Sequence, residues 1–179
     1  QSVKGVLAAN GVRGDEVAGI GVGGPGALLL PIGRDGQPLM RAVHYQDMRH
    51  RGEAEEVQER YGELIHQIDG NWVNIFNGVP KLLWYKKHRP AEFAATAKFV
   101  TETGWVNYRL TGVFSMNRPQ AAFYCTYDYG RGEWSEELCA VLGLPIETLP
   151  RIYETTEVVG RVTEEAAREC GVAAGAVVV

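Results

Sequence analysis

The amino-acid sequence predicts one α/β domain, and three observations carry that expectation. Short apolar, glycine-punctuated runs of strand type stand at 17–32 and again at 175–179, stretches of helical period fill the interval between them, and no repeat, linker or low-complexity segment interrupts the chain. At 179 residues there is room for one domain with a real core and not for two.

In chain order, Val17 to Val22 and Ala27 to Ile32 read as two strands joined by Gly23-Gly24-Pro25-Gly26. Arg34-Asp35-Gly36-Gln37-Pro38 reads as a turn, because Asp-Gly accepts positive φ, and Arg41 to Tyr45 follows as a third short strand, giving a small meander. The period then changes. Ala54, Val57, Tyr61, Leu64, Ile65 and Ile68 recur every three or four residues and make one helical face, with Glu53, Glu55, Glu56, Glu59 and Glu63 on the wet side. Asn77-Gly78-Val79-Pro80 has the form of a helix start, since proline is tolerated in a first turn; Lys86-Lys87-His88-Arg89-Pro90 closes that helix with cations at its negative pole and a proline stop. Further helices are expected at 103–111 before Gly112, at 135–142 between Ser135 and Gly143, and at 164–170 between Thr163 and Gly171. Gly175 to Val179 is a closing strand.

Charge and hydropathy narrow the partners. A net charge of -4 offers no broad basic field for nucleic acid or anionic lipid, and no apolar run reaches the roughly 18 residues that span a bilayer. A small molecule is the expected partner, with no nucleic acid and no membrane, and a cytoplasmic location. Cys125, Cys139 and Cys170 are odd in number and widely spaced, which fits reduced thiols better than a disulfide framework or a zinc site. Gln1-Ser2-Val3-Lys4-Gly5 has no signal pattern and reads as the interior of a longer chain.

No short motif stands alone as a catalytic centre. Gly19-Ile20-Gly21-Val22-Gly23-Gly24 satisfies the dinucleotide fingerprint formally, but Pro25 and the apolar run after it lead into a strand, whereas a pyrophosphate site needs a helix there. His44, His50, His66 and His88 lack metal-ligand spacing, and neither a Gly-x-Ser-x-Gly elbow nor a paired cysteine occurs. The expected catalytic and metal sets within the chain are therefore empty.

The order of larger features resembles the FGGY family of carbohydrate kinases, xylulose-kinase-like members above all, over nearly the whole chain. A glycine-rich stretch, Ile20 to Ala27, precedes Tyr45-Gln46-Asp47-Met48-Arg49, which is similar to the family's Trp-x-Asp-x-Arg loop with Tyr45 in place of Trp. Pro80-Lys81-Leu82-Leu83-Trp84 matches the end of the family's first signature, although Gly78 and Tyr85 depart from its usual types. Tyr108-Arg109-Leu110-Thr111-Gly112, Asp128 with Trp134 to Leu138, Leu149-Pro150 and Glu157-Val158-Val159-Gly160 resemble later family segments in the family's order. Gly26-Ala27 depart where members carry an Arg-Glu or Met-His pair, and Asn117 and Gln120 stand where many carry Asp or another polar residue.

The resemblance implies a ribonuclease-H-like fold of the actin and hexokinase type, one domain over 1–179 that is incomplete at both ends. It implies the sugar-binding part of an ATP-dependent carbohydrate kinase, with Gly24, Pro25, Gly26, Ala27, Tyr45, Asp47, Arg49 and Phe76 around the sugar. The general-base Asp would follow the strand ending at Val179, and most residues for ATP and Mg2+ would lie outside the chain. A polyol needs hydrogen-bond partners for its hydroxyls and an apolar wall for its C-H face, a mixture these residues offer. A non-catalytic carbohydrate-binding or regulatory module on the same fold is the alternative. Loss of the opening strands would leave the Val17 to Val22 strand with an open edge, so self-association into a homo-oligomer is expected.

Overall fold

Caps and glycines cut the chain much where the sequence places them, in a computed structural model that describes residues 2–26 and 28–179. The elements run α1 (Ser2–Ala9), β1 (Gly19–Ile20), β2 (Leu30–Gly33), α2 (Arg51–Asp69), α3 (Gly78–His88), α4 (Pro90–Ala95), β3 (Thr96–Val100), α5 (Glu102–Thr111) and β4 (Ser115–Asn117). They continue α6 (Arg118–Ala122), β5 (Tyr127–Asp128), β6 (Glu133–Trp134), α7 (Glu136–Leu142), β7 (Arg151–Tyr153), β8 (Gly160–Arg161), α8 (Glu164–Cys170) and β9 (Val177–Val178).

Helix boundaries follow from side-chain caps. Thr101, Ser135 and Thr163 each accept a backbone N–H from the first turn of α5, α7 and α8, and Gly112, Gly143 and Gly171 close those helices at φ +76°, +61° and +83°. α2 buries Ala54, Val57 and Ile65 as its apolar stripe demands. Glu53 corrects the expected wet face. It is buried because Lys87 and His88, from the last turn of α3, each reach its carboxylate at 3.4 Å. Pro90 likewise does more than stop α3, for it takes the first turn of α4, where a missing N–H costs nothing.

The meander expected near the N-terminus does not form. β1 lies parallel to β9, with β8 antiparallel on the far side of β9, whereas β2 pairs antiparallel with β3. The third strand, expected at Arg41 to Tyr45, is reduced to one antiparallel bridge between Val43 and Leu29. Tight hairpins need positive φ at their central residues, and within Gly23 to Gly26 only Gly26 has it, at +70°. The chain consequently crosses from one sheet to another instead of doubling back. The expected turn at 34–38 does form, with Gly36 at φ +74° and Gly33 N–H bonded to Gln37 O at 2.8 Å.

Three packed regions result, the smallest formed by Leu30, Ile32 and Val100 where β2 meets β3. The largest core joins α2, α3 and α7 through Val57, Ile65, Leu82, Tyr85, Phe99 and Leu138, and the second packs α8 under β9 through Val162, Ala166, Val172 and Val178. β4 and β7 form a separate parallel pair, Ser115 facing Arg151 and Asn117 facing Tyr153. Cys125 and Cys139 are buried free thiols and Cys170 is a half-buried one.

Candidate functional site

The bridge between Leu29 and Val43 sets the site's geometry. In antiparallel pairing, the residues before Leu29 and those after Val43 leave the same end of the ladder, which sends the Gly24 to Gly26 turn and the Tyr45 to Arg49 loop out at that end. Tyr45 is half-buried, its ring 4.1 Å from that of His44. Asp47 and Arg49 make a forked ion pair, Nε to Oδ1 at 2.9 Å and Nη2 to Oδ2 at 2.7 Å, and the Arg49 guanidinium lies 5.0 Å from the centre of the Trp84 ring. Arg49 holds the Asp47 carboxyl below its ordinary range.

Phe76 sits on a loop just before α3, with 51% of its surface exposed. That loop is tied to the Asp47 segment through its backbone. The buried His50 ring meets Ile75 O through Nε2 at 2.7 Å, and Lys81 Nζ donates to Phe76 O and Asn77 O, both at 2.8 Å, while facing Asp47 electrostatically. The family signature singles out Lys81, which the expected sugar-binding set does not include. A lone charge inside the apolar run Val79 to Trp84 was the available signal.

The glycine turn is only partly open to solvent. Gly24 and Pro25 are exposed, but Gly26 is buried and its N–H is bound by Glu102 Oε1 at 2.8 Å. A Cβ on Gly24 would collide with the same carboxylate, so only glycine lets Glu102 seat beneath the turn. Gln120 joins it through Nε2 at 3.4 Å while its Oε1 accepts from Thr101 and Thr103 at 2.9 and 2.7 Å. Ala27 lies outside the described residues. From the turn the packing continues through Tyr124, whose hydroxyl donates to Leu28 O at 2.9 Å and whose ring lies against Gly78 at the start of α3. Glu102 and Gln120 lie beneath the turn; Gln120 stands out in the sequence only as a departure from the family's residue type, and nothing in the local sequence marks Glu102.

Beside the turn lies a polar cleft of about 290 Å³, lined by Gly21, Gly23, Asn107, Asn117, Glu154 and Thr155 among others. Its construction is topological. β1 and β9 are parallel and end at it with Val22 and Val179, and β4 and β7 are parallel and end at it with Asn117 and Glu154. Carboxyl ends of parallel strands are where α/β proteins bind ligands. Asn107, from α5, is buried with its Nδ2 on Ser115 Oγ at 3.0 Å and its Oδ1 without a partner. Residues 21–26 carry no helix, so the glycine run does not open one as a dinucleotide site requires; Glu102, the first residue of α5, instead sets a carboxylate against it at Gly26 N. Among the described residues no three His, Cys, Asp or Glu side chains converge on one point, a donor set that does not fit a metal ion, and no helix is long and apolar enough to cross a membrane.

Known proteins place this arrangement. The chain is 28% identical over 166 residues to a xylulose kinase of Bacillus subtilis (strain 168), covering 93% of this chain and 33% of that protein. It is 28% identical over 169 residues to a glycerol kinase of Thermococcus gammatolerans, covering 92% and 34%. The crystal structure of a Brucella ovis xyloylose kinase superposes with a TM-score of 0.87 at 25% identity, over 98% of this chain and 36% of that one. The chain thus spans about a third of the length of the curated relatives it matches. The superposition gives the ribonuclease-H-like fold of the actin and hexokinase type. Residues 1–179 match the N-terminal domain of the FGGY family of carbohydrate kinases, and the chain belongs to that family.

Proposed function

We propose that this chain is the acceptor-binding side of an ATP-dependent kinase that phosphorylates a hydroxyl of a small sugar or polyol. The observation that carries the reading is the convergence of two parallel strand pairs on one cleft that the glycine run at 21–23 also lines. Asp47 and Arg49 supply acceptor and donor groups for hydroxyls, Tyr45 and Phe76 supply apolar surface for C-H faces, and Gly24, Pro25 and Gly26 bring backbone close. Names of relatives support this substrate class, since xylulose and glycerol are both small and rich in hydroxyls.

Phosphoryl transfer needs in-line placement of the hydroxyl, positive charge on the phosphates and a carboxylate for the hydroxyl proton. In this proposal the described residues serve the first. In this proposal the base follows β9, which runs parallel to β1 and so emerges next to the glycine turn, while ATP and Mg2+ are held by other parts of the protein. The test is a coupled ATPase assay of the whole protein with a panel of polyols that includes xylulose and glycerol. Acceptor-dependent ADP release by the whole protein, and none by residues 1–179 alone, is expected. Acceptor binding without any transfer by the whole protein would replace the kinase with a carbohydrate-binding module.

A further inference from the structure

Lys81 is fully buried, and its ammonium is used on a loop instead of on a carboxylate. Nζ donates to Phe76 O and Asn77 O at 2.8 Å each and to Ile75 O at 3.3 Å. An ammonium carries three N–H bonds, so three successive carbonyls take all of them. The same loop is held by Asn77 Oδ1 on Asn74 N at 2.7 Å and by Asn74 Oδ1 on Phe76 N at 2.9 Å. The backbone N–H and C=O of Phe76 are thus both held, and its ring is left standing in solvent. Burying a cation is costly, and a methionine would fill the space more cheaply; the return is a set orientation for this loop.

We propose that Lys81 is a positioning residue that holds Phe76 against the acceptor, and that loss of its charge loosens the acceptor site without acting on the ATP side. The inference rests on reading the chain as the polyol-binding side of a kinase. A neutral amine keeps two N–H bonds and turns a lone pair toward the remaining oxygens, so the cradle opens. Burial lowers Lys81 to about 8, which brings that event into an assayable range. The other groups facing it are Asp47, held low by Arg49; His50, held low by burial; and Cys125, whose thiol burial pushes up. None of the three titrates near Lys81.

Two signs separate positioning from mere packing. The folded-state pKa lies below the unfolded one, so from about pH 8 to 10 the unfolded chain binds more protons and this group's contribution to stability rises with pH. Acceptor affinity falls over the same window. The experiment measures acceptor KM, ATP KM and kcat of the whole protein against pH, with the polyol on which the wild type is most active. Acceptor KM should rise roughly tenfold through the break near 8, the size expected when one buried hydrogen bond is lost, with ATP KM unchanged. Lys81→Met should show the raised KM at all pH values, and adding Phe76→Ala should raise it no further than Phe76→Ala alone. If Lys81→Met fails to fold, Phe76→Ala by itself should still erase the break. A flat wild-type acceptor KM through pH 8, or a break that survives Phe76→Ala, overturns the role of Lys81 and leaves the kinase reading intact. Failure of every polyol to bind or react overturns both.

Discussion

Asp69 shows how much a single buried carboxylate costs here. It is fully enclosed at the end of α2, accepting from Tyr127 N at 3.0 Å and Asn71 Nδ2 at 2.7 Å with no cation beside it, and burial raises its pKa to about 6. A raised carboxyl pKa means that the folded state holds the proton more tightly. Its stabilisation is complete below about pH 4 and is lost as pH climbs through 6, by about 2 to 3 kcal/mol in all. Urea melts from pH 4 to 7 should therefore show the difference between wild type and Asp69→Asn changing over that window. A constant difference would mean that Asp69 is solvated as an ordinary carboxylate. Residues of this kind were illegible in the sequence. Glu53 and Asp69 look like any other charges until the packing that buries them is known, and the same holds for Glu102 beneath the glycine turn.

At the scale of elements, the sequence was most legible where one residue type dictates geometry. Thr163 and Gly171 bound α8, Ser135 and Gly143 bound α7, and Gly112 closes α5, each because a cap oxygen or a left-handed φ is needed at that point. It was least legible where pairing is decided by distant chain. Nothing local in Val17 to Val22 shows that its partner is the last strand, and nothing in 96–100 shows that it pairs with β2. The join between α3 and the turn gives a prediction at this scale. A Cβ on Gly78 would lie 2.5 to 2.7 Å from ring atoms of Tyr124, which is fully buried and pinned through its hydroxyl to Leu28 O. Gly78→Ala should cost about 1 to 3 kcal/mol in denaturant unfolding, as overpacking does, and Tyr124→Leu should recover part of it. An equal or greater stability for Gly78→Ala would show that the start of α3 can shift away from the ring.

Across the whole molecule, the cleft lies where the glycine run at 21–23 meets the ends of β4, β7 and β9, while the loop after Val43 and the loop before α3 are tied to each other through His50. Sequence order offered Tyr45, Asp47, Arg49 and Phe76 as candidates through their resemblance to family segments. It could not supply the cleft, which exists only once two parallel pairs point the same way. β1 keeps one edge without a partner among the described residues, a surface for further chain or for another copy. The central claim, that this domain binds the phosphate acceptor, is tested most directly by a crystal structure of the whole protein with the polyol on which it is most active. The account predicts the polyol beside Gly24 and Gly26, with a hydroxyl within about 3 Å of the Asp47 carboxylate and the Phe76 ring across its C-H face. A polyol bound elsewhere, for instance in the apolar groove lined by Met48, Ala54, Val73 and Ile75, would contradict it.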